Sequence, residues 1–283
     1  MSQIVGALGV PHNPFFPIVA AGEGALADEV RRLYGALADN LRRMRPDTFV
    51  VFTTDHYNLF FDLCVPIFCI GVADSTAGPC DFRQLQRFEI TVDRDLAKEI
   101  QTYLVGHDFD VAMSQEFELD HTITAPLSMI LPSMDVPLVP VFISSSMRPI
   151  PSPSRCRALG AAMRAVIEQS EPARRVVVVA SGGFSFDVGG PLIAENSHVG
   201  VPDPDWVDHV VDLLDAAQLD ELISEITPDQ LARAGNASGE ILNWIAMLGM
   251  FDPCPPAFIE AQREEGHAFA AWLLNGTQEA GGR

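Results

Sequence analysis

Positive charge is scarce in this chain of 283 residues: 18 Lys and Arg stand against 38 Asp and Glu, for a formal net charge of −20. A surface of that sign repels phosphate, which argues against nucleic acid or an anionic membrane surface as partner. Cysteine is sparse too, with five residues at 64, 69, 80, 156 and 254, an odd set without a Cys-x-x-Cys pair. Neither a disulfide framework nor a zinc–thiolate site is indicated, and a reducing cytoplasm fits best. No apolar run approaches the roughly 20 residues that span a bilayer. The N-terminus also lacks the basic and apolar regions of a secretory signal, so a cytoplasmic protein that is neither secreted nor membrane-inserted is expected.

Apolar material is plentiful, at 48% of the residues. No repeat, low-complexity segment or composition break marks a linker, so one domain over 1–283 is expected. Two strand-length apolar runs organise the front half. Ile4–Val10 is stopped by Pro11-His12-Asn13-Pro14, and Thr48–Thr54 delivers Asp55 and His56 where the strand must end. Between them Leu26, Val30, Leu33, Leu37, Leu41 and Met44 step by three and four, the spacing of an amphipathic helix that Pro46 terminates. A strand, helix, strand unit of this kind makes its two strands parallel.

Further strands are expected at Cys64–Val72, where Pro66 hints at an edge or bulge, near Phe109–Met113, and at Pro137–Ile143. Helices are expected at Asp93–Val105, Ile123–Leu131 and Ser154–Gln169, with Ala73–Arg87 as a polar connection. Arg175–Ala180 is the clearest strand, a valine run without alternation, as when helices cover both faces of a parallel sheet. It stops at Ser181-Gly182-Gly183, which reads either as a tight turn or as a place where another group approaches the backbone closely. After a Gly/Pro loop from Asp187 to Pro204 the chain turns helical through Trp206, Val207, Val210, Val211 and Leu214. Further helices are expected over 219–226, 228–234, 239–250 and 257–274.

Among the polar residues, His12 and His56 leave two strands at the same kind of position, the carboxyl edge where open α/β sheets bind ligands. Two imidazoles and one carboxylate on one face of an ion form the facial site of mononuclear iron oxygenases. Glu240, in Asn236-Ala-Ser-Gly-Glu240-Ile-Leu-Asn-Trp244, is a candidate carboxylate. On the residues alone it is more simply a solvated first-turn acid at a helix N-terminus. Asp120-His121 either tunes a general base or caps a helix. His107, His209 and His267 read as surface histidines in or beside helices, and His198 lies in the Gly/Pro loop, where function is often carried.

Taken together, Gly9-Val-Pro-His12, Asp55-His56-Tyr57-Asn58 with Phe60-Phe61, Leu119-Asp120-His121, Ser181-Gly182-Gly183-Phe184-Ser185 and the Glu240 helix resemble the class III extradiol ring-cleavage dioxygenases. This is the superfamily of the protocatechuate 4,5-dioxygenase β subunit, and the likeness is greatest to the 2,3-dihydroxyphenylpropionate 1,2-dioxygenase type. It runs from about residue 4 to about 250. It implies a three-layer α/β fold with a mostly parallel central sheet, helices on both faces and a helical C-terminal third. It also implies non-haem Fe(II) on His12, His56 and Glu240, His121 as an active-site acid/base, and a homo-oligomer acting on a small aromatic diol and dioxygen. A small separate subunit over the active site, as some relatives have, is equally consistent with it.

Asp55, Tyr57, Asn58, Gly183 and Phe186 are the expected substrate-pocket residues. Phe15, Phe16, Phe60, Phe61 and Phe184 are either pocket or core, and Arg148 is a candidate anchor for a substrate carboxylate.

One departure stands out: the family has a second catalytic histidine after Ser-Gly-Gly-x-Ser, and this chain has Phe186 there. Either His121 acts alone, or His198 substitutes, or the substrate is not an ordinary catechol. An active dioxygenase with altered substrate or proton-transfer demands is the favoured expectation. A zinc hydrolase on the same ligands and a non-catalytic small-molecule binder are the alternatives.

Overall fold

The computed structural model describes residues 1–60, 64–192 and 197–274. In chain order the strands are β1 (Gln3–Val10), β2 (Thr48–Thr53), β3 (Phe68–Gly71), β4 (Ser75–Gly78), β5 (Phe88–Thr91) and β6 (Val111–Ser114), then β7 (Leu138–Ile143), β8 (Arg175–Ser181), β9 (Asp187–Val188), β10 (Val199–Gly200), β11 (Phe258–Gln262) and β12 (His267–Leu273). The helices are α1 (Phe16–Ala20), α2 (Ala25–Met44), α3 (Arg94–Val105), α4 (His121–Ile130), α5 (Pro153–Ile167), α6 (Pro204–Asp215), α7 (Leu219–Glu225), α8 (Pro228–Ala234) and α9 (Ile241–Leu248).

Eight strands form one sheet in the order β11-β12-β1-β8-β2-β7-β3-β6. The pairs β1–β8, β8–β2, β2–β7 and β3–β6 are parallel, while β11–β12, β12–β1 and β7–β3 are antiparallel. The expected α/β architecture is present, and β1 and β2 are parallel as the strand, helix, strand reading requires, with β8 inserted between them. The valine run of β8 explains itself in this setting. Val176, Val178 and Ala180 face the core under α3, α5, α6 and α9, while Val177 and Val179 face the core under α2 and α4. A strand covered on both sides has no polar face to alternate with.

Two stretches depart from the sequence reading. The expected helix over 257–274 is the β11–β12 pair, so the helical part of the last third ends with α9 and the chain closes in strands. Ala268, Ala270 and Trp272 enter one core and Phe269 and Ala271 the other. Pairing with β1 overrides the helix propensity of the alanines. The signal missed was Gly266, which turns the chain at φ +79°. The connection from Ala73 to Arg87 likewise contains β4, paired with β5 in a separate two-stranded ribbon. These strands are too short and too exposed to carry a hydrophobic pattern. Phe61 lies outside the described residues.

Close packing at the carboxyl edge depends on glycine. A Cβ on Gly9 would fall 2.1 Å from the Trp244 ring of α9, and one on Gly160 would fall 2.0 Å from the Ala246 carbonyl. Helix α9 therefore lies directly on backbone, with Glu240 at its head. Gly9→Ala is expected to destabilise the fold by about 1–3 kcal/mol through overpacking. The check is the urea midpoint, and an unchanged midpoint would mean that α9 is not held at this distance.

Candidate active site

The carboxyl ends of β1, β2 and β8 bring His12, His56 and the Ser181-Gly182-Gly183 turn together, and Glu240 enters from above them. Glu240 is only 5% exposed, so it is not the solvated first-turn acid that the residues alone suggested. The last residue of a short 3₁₀ turn, Ser238–Glu240, it places Oε1 3.0 Å from His56 Nε2 and 3.3 Å from His12 Nε2. Its Oε2 accepts from the Gly183 N–H at 3.0 Å. A Cβ on Gly182, which has φ +144°, would sit 2.6 Å from the Glu240 Cβ. Of the two readings of the Gly pair, close approach is the one that holds, and the approaching group is Glu240.

The tautomer of His12 can be derived. Pro126 inside α4 has no N–H, which leaves the Thr122 carbonyl without its helical donor. Ser181 Oγ donates to that carbonyl at 2.5 Å, using its one proton. At 2.9 Å from His12 Nδ1 the hydroxyl must therefore accept, so Nδ1 carries the hydrogen and Nε2 a lone pair. That lone pair faces a carboxylate oxygen. Two acceptors 3.3 Å apart repel unless a cation or a proton lies between them.

Electrostatics agree. Burial lowers the pKa of His12 and outweighs the attraction of Glu240, leaving that ring neutral. Burial also opposes charge on His56, but the hydrogen bond and charge of Glu240 hold its pKa at about 9. Burial works against the Glu240 carboxylate as well, yet the two histidines keep it well below the ordinary range for a glutamate.

His121 is the first residue of α4, its ring centroid 5.1 Å from that of His56 and 5.6 Å from that of His12. A ring nitrogen of each of these three histidines lies within 4.8 Å of the others. Of the two readings of Asp120, capping is what the side chain does. It accepts from Thr122 N at 3.0 Å, and its other oxygen accepts from His56 N at 3.3 Å and from Asn58 Nδ2 at 3.2 Å. The carboxylate on the His121 ring belongs to Asp81, with Oδ2 2.5 Å from Nδ1 and Oδ1 accepting from His121 N at 3.0 Å. Sequence reasoning missed Asp81, since it lies in the stretch read as a plain connection and only the β4–β5 ribbon delivers it.

The other expected residues fall in several places. Asp55 takes the N–H groups of Asn58, Leu59 and Phe60 and so builds the turn that carries His56. Asn58 Nδ2 bridges Asp120 and Asp81. Tyr57 is exposed, with φ +59°. Phe186 is half-buried in the loop after β8, its carbonyl held by Ala237 N. His198 is exposed on the β9–β10 hairpin, and none of the described contacts joins its ring to the central histidines. Phe16 and Phe184 are core, packed on Tyr34 and Trp244, whereas Phe15 packs edge-on to Phe82, whose ring is 6.1 Å from that of His121. Arg148 is exposed.

His107 and His209 are exposed as expected, but His267 is not a surface residue. It is 6% exposed at the start of β12, between the Phe16 and Phe269 rings, and burial lowers its pKa to about 3.

Two donor atoms bound at right angles about 2.1 Å from one ion stand about 3.0 Å apart, close to the separations of Glu240 Oε1 from the two imidazoles. Two neutral imidazoles and one anion, with the lone pair of one already turned inward, fit a divalent cation. Since the His56 pKa is raised above neutrality, the metal-free protein carries that proton near pH 7, and a metal must displace it. Titration calorimetry in buffers of different ionisation heat should therefore register about one proton released per ion near neutral pH. Affinity should rise with pH up to about 9.

Comparison with known proteins identifies relatives of this chain. Residues 6–271 match the LigB family, described as the catalytic LigB subunit of aromatic ring-opening dioxygenase. A 2,3-dihydroxyphenylpropionate/2,3-dihydroxicinnamic acid 1,2-dioxygenase of Cupriavidus necator is 30% identical, over 84% of this chain and 86% of that protein. Its namesake in Mycolicibacterium vanbaalenii is 28% identical, over 96% and 90%. Among solved structures, an uncharacterized Escherichia coli K12 protein superposes with a TM-score of 0.62 at 16% identity, covering 95% of this chain and 99% of that one, a likeness of fold.

Proposed function

Since this chain belongs to the LigB family, the catalytic subunits of aromatic ring-opening dioxygenases, we propose that it performs Fe(II)-dependent extradiol cleavage of a catechol-type ring, with His12, His56 and Glu240 as the metal ligands. The enzyme class, an extradiol ring-cleaving dioxygenase, follows from the family and the named relatives. The observation that carries the finer reading is the approach of one Glu240 oxygen to Nε2 of both histidines, at 3.0 and 3.3 Å. When bound, ferrous iron supplies a Lewis acid that eases deprotonation of the diol and one centre where diol and dioxygen meet.

The side chains around it divide the remaining work. Ser181 and Gly183 fix the orientation of His12 and Glu240, so that little rearrangement accompanies binding. His121, beside His56, accepts a proton from a diol hydroxyl and returns one later in the cycle. Phe15 and Phe82 form an aromatic wall on the His121 side, suited to the flat face of a ring. Phe186 adds apolar surface and moves no proton. The substrate is a small aromatic diol, of which 2,3-dihydroxyphenylpropionate, named for the relatives, is the first to assay. Free thiols and an acidic surface agree with a cytoplasmic enzyme, and no helix of the described residues is long and apolar enough to cross a membrane. We also read the chain as one domain and a homo-oligomer, with or without a small accessory subunit.

Protein purified anaerobically with iron should consume oxygen with a catechol and form a yellow ring-fission product. Tightly bound zinc in a protein inert toward oxygen would overturn the proposal. His12→Ala and Glu240→Ala should lose metal outright. His121→Ala should keep it while kcat falls on the order of 10²- to 10⁴-fold. Phe186→His should raise turnover of simple catechols, and an unchanged rate would show that proton transfer from that side is not what limits them.

A further inference from the structure

His121 is held at two points by one carboxylate, and the contact settles which ring nitrogen carries hydrogen. Asp81 Oδ1 accepts from the His121 backbone N–H at 3.0 Å, and Oδ2 meets Nδ1 at 2.5 Å. Burial works against the Asp81 charge, but the hydrogen bond and charge of His121 outweigh it and hold the carboxyl below its usual range. An ionised carboxylate has nothing to donate, so the hydrogen in the contact sits on Nδ1. In the neutral ring the nitrogen left over is Nε2, with its lone pair.

The carboxylate is itself fixed. Asn58 Nδ2 reaches Asp81 Oδ2 at 3.4 Å and Asp120 Oδ2 at 3.2 Å, holding two acids at set positions. The loop bearing Asp81 is tied to the lead-in of α4, with Cys80 N on the Leu119 carbonyl and Leu119 N on the Ala77 carbonyl, both at 2.9 Å. A Cβ on Gly78 would fall 2.4 Å from that same Leu119 carbonyl, so the ribbon lies flush against the segment it supports.

We propose that Asp81 is a positioning residue, supplied by the β4–β5 ribbon, that locks His121 with its hydrogen on Nδ1 and so presents a bare Nε2 to the diol. With phenylalanine at 186, this pair is the site's route for removing and returning a proton. The second statement rests on the ring-cleavage reading; the locking of the tautomer does not.

The two can be tested apart. In metal-free protein labelled with ¹⁵N-histidine, the nitrogen shifts of His121, in the pH range where the ring is neutral, should report hydrogen on Nδ1. In Asp81→Asn the amide oxygen keeps the backbone N–H, and the amide nitrogen donates to Nδ1, forcing the hydrogen onto Nε2. Asp81→Ala leaves the ring to distribute between both forms. Hydrogen on Nε2 in the unmutated protein, or no change in Asp81→Asn, overturns the proposal whatever the protein catalyses.

In iron-loaded enzyme the order of kcat should be unmutated, then Ala, then Asn. The corresponding loss on placing Asn behind a catalytic histidine is about 10⁴-fold, with KM and metal content far less affected. A side chain that only filled space would give the reverse order, because Asn preserves the shape of Asp. An unmutated enzyme inert toward every diol would remove the ring-cleavage reading and leave the nitrogen shifts to decide the role of Asp81.

Discussion

A carboxylate with almost no contact with water is the constraint on which the site depends. Moving such a charge out of solvent costs on the order of several kcal/mol unless partners replace the lost hydration. Glu240 has three: the Gly183 N–H on one oxygen and two imidazole nitrogens around the other. Because one of those nitrogens presents a lone pair, the cluster is complete only with a positive charge at its centre. In the proposed metal site, proton and metal compete for that place, so the cluster attracts a cation before any chemistry is considered.

Backbone density makes the cluster available. Glycines at 9 and 182 let α9 approach the ends of β1 and β8 closely enough for Glu240 to sit over the sheet edge. Trp244 Nε1 donates to the Gly182 carbonyl and Asn243 Nδ2 to the Ser181 carbonyl, so the turn below the carboxylate is satisfied from the helix above. On the opposite side, a proline in α4 frees the carbonyl that orients Ser181, and Ser181 orients His12. A helix that would ordinarily satisfy itself thus orients the His12 imidazole three contacts away.

Around this centre the groups able to carry a proton are placed asymmetrically. The His121 side carries two acids, an amide and an imidazole in one connected network, whereas the side of the Ser181-Gly182-Gly183 turn ends in a phenylalanine. The family membership fixes the class of reaction. The asymmetry is a feature of this chain and directs attention to the ribbon that supplies Asp81.

Much of the fold could be read from local pattern. The amphipathic α2, the non-alternating β8 and the arrests after β1 and β2 follow from spacing, β-branched residues and proline, each a property of a few neighbouring residues. His12 and His56 were legible for the same reason, because a residue that ends a buried strand is marked by the strand itself. The motif resemblance added Glu240 and His121, which spacing alone did not distinguish from a solvated acid and a helix start. Three features needed the tertiary structure: the burial of Glu240, the closing of 258–273 as strands, and the approach of Asp81 to His121. Each is decided by contacts across long separations in sequence, where pairing with β1, packing on glycine backbone and a shared hydrogen override what the neighbouring residues prefer.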